Sequence, residues 1–177
     1  MELTSATFKT GIDYEYFDTK TVPASTTMVT TNSFFTSNTS AQNLSNCQAG
    51  KVANPFLLKG VRMDMNLVYT TTGLTIQQSI DLVVAMIFSR LVINRGNQTI
   101  FDAQTGRFYD SYPIVGEKGT AASAYGVYVK KRIVPLNSDV VIKPNDPIAG
   151  ILYSPILSGA QSLVTTAAMI GILAQEP

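Results

Sequence analysis

The sequence contains no histidine and no tryptophan, and its single cysteine is Cys47. Without histidine the chain lacks the commonest general base and the commonest ligand of zinc, copper and iron, which excludes Ser-His-Asp and Cys-His catalysis. A lone cysteine excludes an intrachain disulfide and cannot by itself form a structural zinc site. Because no cationic residue adjoins Cys47 in the sequence, we expect a packed, inert thiol. We predict no catalytic, cofactor-binding or metal-binding residue, and no cofactor.

Charged residues are also scarce, at 14% of the chain against an average of about 25%. The 13 basic and 12 acidic residues give a net charge of +1, so no broad field attracts nucleic acid or an anionic membrane. The basic run Lys130-Lys131-Arg132 could contact phosphate, but such a run more often blunts a strand edge or forms a solvated face. We therefore expect no specific nucleic-acid binding.

Long hydrophobic runs are missing as well. The apolar segments 82–88 and 163–174 are shorter than the roughly 20 residues of a membrane span, so no transmembrane segment is predicted. The first residues, MELTSATFKTG, lack the basic and apolar regions of a secretory signal. These features predict a soluble protein that is made in a reducing cytoplasm or is indifferent to redox state.

Acidic residues are the remaining candidates for chemistry, because carboxylate pairs can hydrolyse glycosides or bind calcium. The candidate pairs are Asp13 with Glu15, Asp102 with Asp110, and Asp139 with Asp146. None of them belongs to the ladder of acidic residues that a calcium loop uses, and Asp139 and Asp146 occupy positions typical of turn-forming aspartate. The segment 116–119, GEKG, lacks the spacing of a phosphate-binding loop. The sequence therefore favours a protein that is not an enzyme.

The strongest structural signals lie within residues 57–102. From Val61 to Tyr69, apolar and polar residues alternate, which predicts a half-buried strand whose polar face is a solvent or subunit contact. Residues 76–93 fit both a helical stripe and a strand face. Thr75 as N-cap, followed by glutamines, favours a short helix near 76–87, packed at one end of the fold.

Turn signals and short apolar segments divide the rest of the chain. Arg95-Gly96-Asn97 predicts a hairpin turn between strands near 89–94 and 98–102. Further strands are expected at 107–112, 125–134, 139–143, 148–153 and 163–173, with a small-residue loop at 116–123, a break at 135–138 and a proline turn at 144–147. Strands recurring every 8–15 residues around one helix predict an all-β sandwich or barrel.

Residues 1–50 differ from the remainder because Thr, Ser and Asn dominate and aromatic residues occur in short groups. We expect an extended N-terminal arm with short strands over 1–50, ordered by packing on the same chain or on a neighbouring subunit. Residues 51–177 are then a single β-sandwich domain, which is long enough to bury a sizeable core.

This layout resembles the single jelly-roll capsid proteins of tailless icosahedral viruses and phages. The resemblance covers about residues 54–174 and is carried by NPFLLKGVRMDMNLVY, IQQSIDLVVAMIFSRLVI, VVIKPNDPIAGILYSP and SLVTTAAMIGILAQ. It implies a jelly-roll-like sandwich and a shell subunit that associates with itself and with other capsid proteins. It also implies location in the virion after synthesis in the host cytoplasm. The near-neutral charge implies that another protein packs the genome, or that an internal membrane or second shell lies between the subunit and the genome.

Two other functions stay open at this point. A phage tail or adhesin-type β-sandwich module could bind a glycan or a cell surface through loops 36–50 and 116–124, which are rich in small polar residues. An enzyme could use a carboxylate pair that meets in one cleft.

Overall fold

The computed structural model describes Phe8 and residues 11–23, 29–36, 45–67, 75–110, 114–117, 125–128, 130–157 and 162–174. The elements in chain order are β1 (Ile12–Val22), β2 (Thr30–Phe34), β3 (Phe56–Leu67), α1 (Ile76–Phe88), β4 (Arg90–Arg95), β5 (Gln98–Gln104), β6 (Ile114–Glu117), β7 (Tyr125–Tyr128), β8 (Val134–Ile142), β9 (Ile148–Ser154) and β10 (Leu163–Leu173). A short 3-10 helix occupies Thr105–Phe108, and Gln48–Gly50 form a turn in which Ala49 and Gly50 have positive φ.

Eight of the strands form two four-stranded antiparallel sheets. The first sheet has the order β1-β10-β3-β8 and the second has the order β2-β9-β4-β5, while β6 and β7 form a separate hairpin. Strands that follow each other in the chain thus alternate between the sheets, except for the β4–β5 hairpin. This order is that of an eight-stranded jelly roll. The prediction of an all-β, jelly-roll-like sandwich with one short helix is confirmed.

The core lies between the two sheets and is built by alternation along the strands. In β3, Val61, Met63 and Met65 are fully buried, whereas Arg62 and Asp64 are only partly buried on the opposite face. Buried residues of the second sheet, such as Leu91 and Leu152, belong to the same hydrophobic cluster. The predicted alternation is confirmed from Val61 to Asn66, and the Leu67 side chain and Tyr69 lie outside the described part of the chain.

Helix α1 begins at the cap that the sequence predicts. The Thr75 hydroxyl accepts a hydrogen bond from the Gln78 backbone N–H at 3.2 Å, and the Gln78 side chain accepts one from the Thr75 N–H at 2.9 Å. Together these bonds form a capping box. The helix ends at Phe88, one residue beyond the predicted range, and joins the end of β3 to the start of β4. We refer to this end of the sandwich as the α1 end.

The β4–β5 hairpin also matches the prediction. Gly96 adopts a φ of 56° in its turn, a conformation that glycine reaches without steric cost. The predicted turn at 144–147 is present too: the Asp146 side chain accepts a hydrogen bond from the Lys143 N–H at 2.9 Å, and Asn145 has a positive φ.

Strands β1 and β2 lie within the residues expected to form the arm, and both are strands of the sandwich. β1 pairs with β10 along its whole length, and β2 pairs with β9. The two sheets therefore start well before the expected boundary at residue 51. Both strands are sheet edges, and an edge strand carries more polar side chains than a central one. This polar composition is the reason that the sequence alone predicts an arm here.

The region between β5 and β8 differs most from the prediction. The prediction of a strand at 107–112 is wrong for residues 107–110, the part that the structure describes. A 3-10 helix ends there at Phe108, and Tyr109 makes only an isolated bridge with Lys131. The Thr105 N–H donates to the Ser89 carbonyl at 2.8 Å, which fastens this segment to the end of α1.

Three further boundaries change. The predicted loop at 116–123 overlaps β6, and residues 118–124 lie outside the described part of the chain. The strand predicted at 125–134 ends at Tyr128 as β7. The break expected at 135–138 does not separate two strands, since β8 runs from Val134 to Ile142. It coincides instead with an irregularity in that strand, because pairing with β3 shifts from Gly60 opposite Pro135 to Leu58 opposite Val140 and leaves residues 136–139 without a partner on β3. β8 is an edge strand, where a proline need not donate a hydrogen bond to a neighbour.

Candidate functional site

The only thiol of the chain is packed inside the protein. Cys47 is fully buried, and its Sγ lies 3.6 Å from the Lys51 carbonyl oxygen as a weak donor. Burial raises the pKa of Cys47 to about 12, and the nearby charge of Asp18 adds to this effect. The thiol therefore stays protonated at neutral pH, and a protonated thiol is a poor nucleophile. This geometry agrees with the inert thiol expected from the sequence.

Five of the six carboxylates in the three candidate pairs contact basic or backbone groups of the same chain. Asp102 forms a two-bond ion pair with Arg90 across the β4–β5 hairpin, which lowers the pKa of Asp102. The other contacts are Glu15 to Arg62 at 2.7 Å, Asp110 to Lys130 at 3.4 Å, Asp139 to Lys59 at 3.1 Å and Asp146 to the Lys143 N–H. Asp13 is exposed on β1.

Two surface cavities accompany these charges. One, of about 270 Å³, lies between the edge strands β5 and β8 and is lined by Asp102, Arg107 and the apolar Phe101 and Leu136, among others. The second, of about 430 Å³, is lined by Arg62, Asp64, Lys131, Arg132 and Ile133. Each of these two cavities has one carboxylate in its lining. Among the residues that the structure describes, no group of three His, Cys, Asp or Glu could hold a metal ion.

The basic run 130–132 is engaged with acidic residues of the same chain. Lys131 lies 3.0 Å from Asp64, which in turn lies 3.6 Å from the Arg62 guanidinium. Lys130 and Arg132 both approach Asp110, at 3.4 Å and 3.8 Å. Intrachain pairing neutralises most of the charge that could have attracted phosphate.

The polar face of β3 is part of this network. Arg62 and Asp64, which the alternation places on that face, connect Glu15 on β1 to Lys131 through three consecutive ion pairs. Asn66 on the same face is exposed. The network crosses the outer surface of the first sheet and stays partly accessible, as expected for a solvent or contact surface.

Exposed apolar side chains are concentrated elsewhere, at the α1 end. Among the described residues, the large exposed apolar side chains are Ile12, Val29, Ile76, Ile80, Phe88, Ile133, Tyr153 and Ile156. Ile12 begins β1 at the opposite end, and Ile133 lies beside Gly60 near the middle of β3. The other six lie on α1 or within two residues of a strand end at the α1 end. We call these six residues the rim patch: Val29, Ile76, Ile80, Phe88, Tyr153 and Ile156.

The loops suggested for glycan recognition are only partly described. Residues 37–44 and 118–124 lie outside the described chain, so most of the predicted recognition surface at 36–50 and 116–124 has no structural description. Within the described residues, no helix is long and apolar enough to cross a membrane. That finding agrees with the prediction of no transmembrane segment.

The described residues thus form a two-sheet sandwich whose surface charges are mostly paired and whose α1 end is apolar. Comparisons of the chain with protein-family models, curated proteins and solved structures find no match.

Proposed function

We propose that this chain is a structural subunit of an icosahedral viral or phage capsid. The observation that supports this proposal best is the strand order, β1-β10-β3-β8 facing β2-β9-β4-β5. Capsid domains are among the proteins built on this eight-stranded arrangement. Fold alone does not determine function, so the surfaces have to support the proposal as well.

The surfaces agree with a subunit that works by contact. A shell protein needs a rigid body and faces that fit its neighbours, and it requires no catalytic group. The described chain has a buried thiol, carboxylates held by intrachain partners, and an apolar patch at one end. The net charge of +1 allows many copies to approach without strong mutual repulsion.

The same charge balance bears on the partners of the subunit. Because the basic run is paired within the chain, we propose that another protein packs the genome, or that a membrane or second shell lies between this subunit and the genome. The proposed partners are further copies of this chain and other capsid proteins, and the proposed location is the virion.

The mass of the purified chain in solution tests this proposal. Sedimentation velocity across a hundredfold range of concentration is expected to show concentration-dependent oligomers. A glycan array run in parallel separates the alternative function, since a shell subunit is expected to show no saturable sugar binding. A chain that is strictly monomeric and binds one glycan class saturably would instead be a recognition module.

A further inference from the structure

We infer that the rim patch at the α1 end is the surface through which one copy of this chain binds a second copy. This inference rests on the proposed function and adds to it the location of the contact. It is drawn from the exposure, adjacency and charge of the six residues.

The patch includes the side of α1 that faces away from the core. Ser79, Leu82 and Met86 face the core, while Ile76 and Ile80 are 53% and 43% exposed. Val83 and Ile87, which lie on the same side as Ile76 and Ile80 at helical spacing, are only partly buried. A surface helix normally places its apolar stripe against the core and charged residues outside. In α1 the outward side is largely apolar.

Strand register places the other members of the patch next to the end of the helix. Arg90 pairs with Tyr153, and Ser154 pairs with Thr30. The first residues of β4 and β2 therefore lie on either side of the last residues of β9. Adjacent strands are about 4.8 Å apart. Phe88 and Val29 therefore flank the chain segment that carries Ile156. Ile80 precedes Phe88 by eight residues, so these two members of the patch are about 12 Å apart along the helix axis.

Among the residues that the structure describes, charges are rare on and around the patch. Asp81 is the only ionisable residue of α1, and it is only 4% exposed. At the margin, Arg90 is paired with Asp102. A helix that lies on an anionic membrane carries Lys and Arg along its polar face, and α1 contains neither. An acidic or basic partner would likewise find no complementary charge, so the patch suits a partner whose own contact surface is uncharged.

The size of the patch matches what a stable dimer requires. The six residues are on average half exposed. With about 180 Å² for the full area of one such residue, they present roughly 550 Å². A standard interface buries about 800 Å² on each partner, of which about 60% is apolar, so it needs roughly 480 Å² of apolar surface. A second copy of the chain brings the same patch, and the net charge of +1 on each copy opposes the contact only weakly.

The test uses matched isoleucines at opposite ends of the sandwich. Ile80 is 43% exposed in the patch, and Ile12 is 45% exposed at the far end. Ile80→Glu is expected to raise the dissociation constant of self-association by about tenfold or more, because a charge would be desolvated without a partner. Ile12→Glu is expected to change it less than about threefold. Sedimentation velocity of the full chain measures both constants.

A second variant guards against damage to the helix. Ile156→Glu alters the patch outside α1 and is expected to weaken self-association as Ile80→Glu does, with an unchanged thermal midpoint. Wild-type self-association that neither Ile80→Glu nor Ile156→Glu weakens more than Ile12→Glu would overturn the inference and leave the proposed function standing. A wild-type chain that is monomeric at every concentration would overturn both. A monomer that binds neutral phosphatidylcholine vesicles, and loses that binding on Ile80→Glu, would replace the second copy with a lipid surface.

Discussion

Asp18 on β1 accepts a hydrogen bond from the backbone N–H of Phe35 at 2.6 Å, which connects the first strand of one sheet to the end of β2 in the other sheet. Asp18 is only 1% exposed, and Phe35 has a φ of 62°, in the left-handed region that phenylalanine rarely adopts. The Lys20 ammonium lies 3.6 Å from the same carboxylate. The buried side chain of Asp18 thus holds the strained turn that follows β2.

Removing this carboxylate is expected to destabilise the fold. Asp18→Ala leaves the Phe35 N–H buried without its acceptor, so we expect the free energy of unfolding to fall by about 2–3 kcal/mol. Urea denaturation measures this change. Asp13→Ala is the control, because Asp13 is exposed on the same strand, and its expected effect is within about 0.5 kcal/mol. Equal effects of the two substitutions would show that the contact with Phe35 contributes nothing.

Substitution by alanine is expected to destabilise the fold to different extents at two glycines that have similar φ angles. Gly50 and Gly96 have φ values of 64° and 56°. A Cβ on Gly50 would lie 2.1 Å from the Ile148 carbonyl oxygen, whereas the nearest atom to a Cβ on Gly96 is 3.9 Å away. Gly96→Ala is expected to cost about 1–2 kcal/mol, from the left-handed backbone alone.

Gly50→Ala carries the same cost of a left-handed backbone and adds a steric clash between the new Cβ and the Ile148 carbonyl oxygen. We expect its loss of unfolding free energy to exceed that of Gly96→Ala by at least about 1 kcal/mol. Thermal denaturation of the two variants gives this difference, and similar midpoints would contradict the close approach of Gly50 to β9.

The helix cap predicts a third effect on stability. Thr75→Ala removes the hydroxyl that accepts the Gln78 N–H, and we expect a loss of about 1 kcal/mol. Thr75→Ser keeps an acceptor in that position and is expected to preserve most of this stability. Chemical denaturation of both variants checks the cap, and equal losses would argue against the hydroxyl as its source.

Cys47 predicts a loss of stability at alkaline pH. Its pKa is raised to about 12 in the folded chain by burial, against about 8.5 for an unfolded thiol. The folded thiol therefore keeps its proton between these values while the unfolded thiol releases it. The resulting stability is fully present below about pH 8.5 and declines as pH rises toward 12.

Because burial also raises the pKa of Tyr16 and of Tyr109, a comparison with Cys47→Ala isolates the thiol. The wild-type advantage in unfolding free energy is expected to shrink by about 2–3 kcal/mol between pH 8 and pH 10.5. Reversible urea denaturation under reducing conditions measures it. An advantage that does not change with pH would contradict the raised pKa.

Local sequence signals predicted the elements whose pattern is complete within a few residues. The alternation in β3, the capping box at Thr75 and the glycine turn at Gly96 each depend on near neighbours, and each is present. The place of β1 depends instead on pairing with β10, about 150 residues later, and its polar residues gave no sign of that partner. The break predicted at 135–138 coincides with the register shift between β8 and β3, but the sequence does not reveal that β8 continues past it as an edge strand, where a proline is tolerated.

The rim patch could not be predicted from the sequence for a related reason. Periodicity identified the apolar stripe through Ile76 and Ile80 but not the direction in which it faces. The stripe turns outward because the opposite side of the helix, with Leu82 and Ala85, packs against the body of the sandwich. Tyr153 and Val29 join the patch only through the register of β9 with its neighbours.

Imaging of particles from the organism that encodes the chain tests the central claim most directly. Electron cryomicroscopy of purified particles, with the chain identified in them by mass spectrometry, is expected to show an icosahedral shell. Its repeating density should fit the two sheets β1-β10-β3-β8 and β2-β9-β4-β5. Particles whose shell density fits another fold, with this chain absent or present only in a tail or surface fibre, would contradict the account.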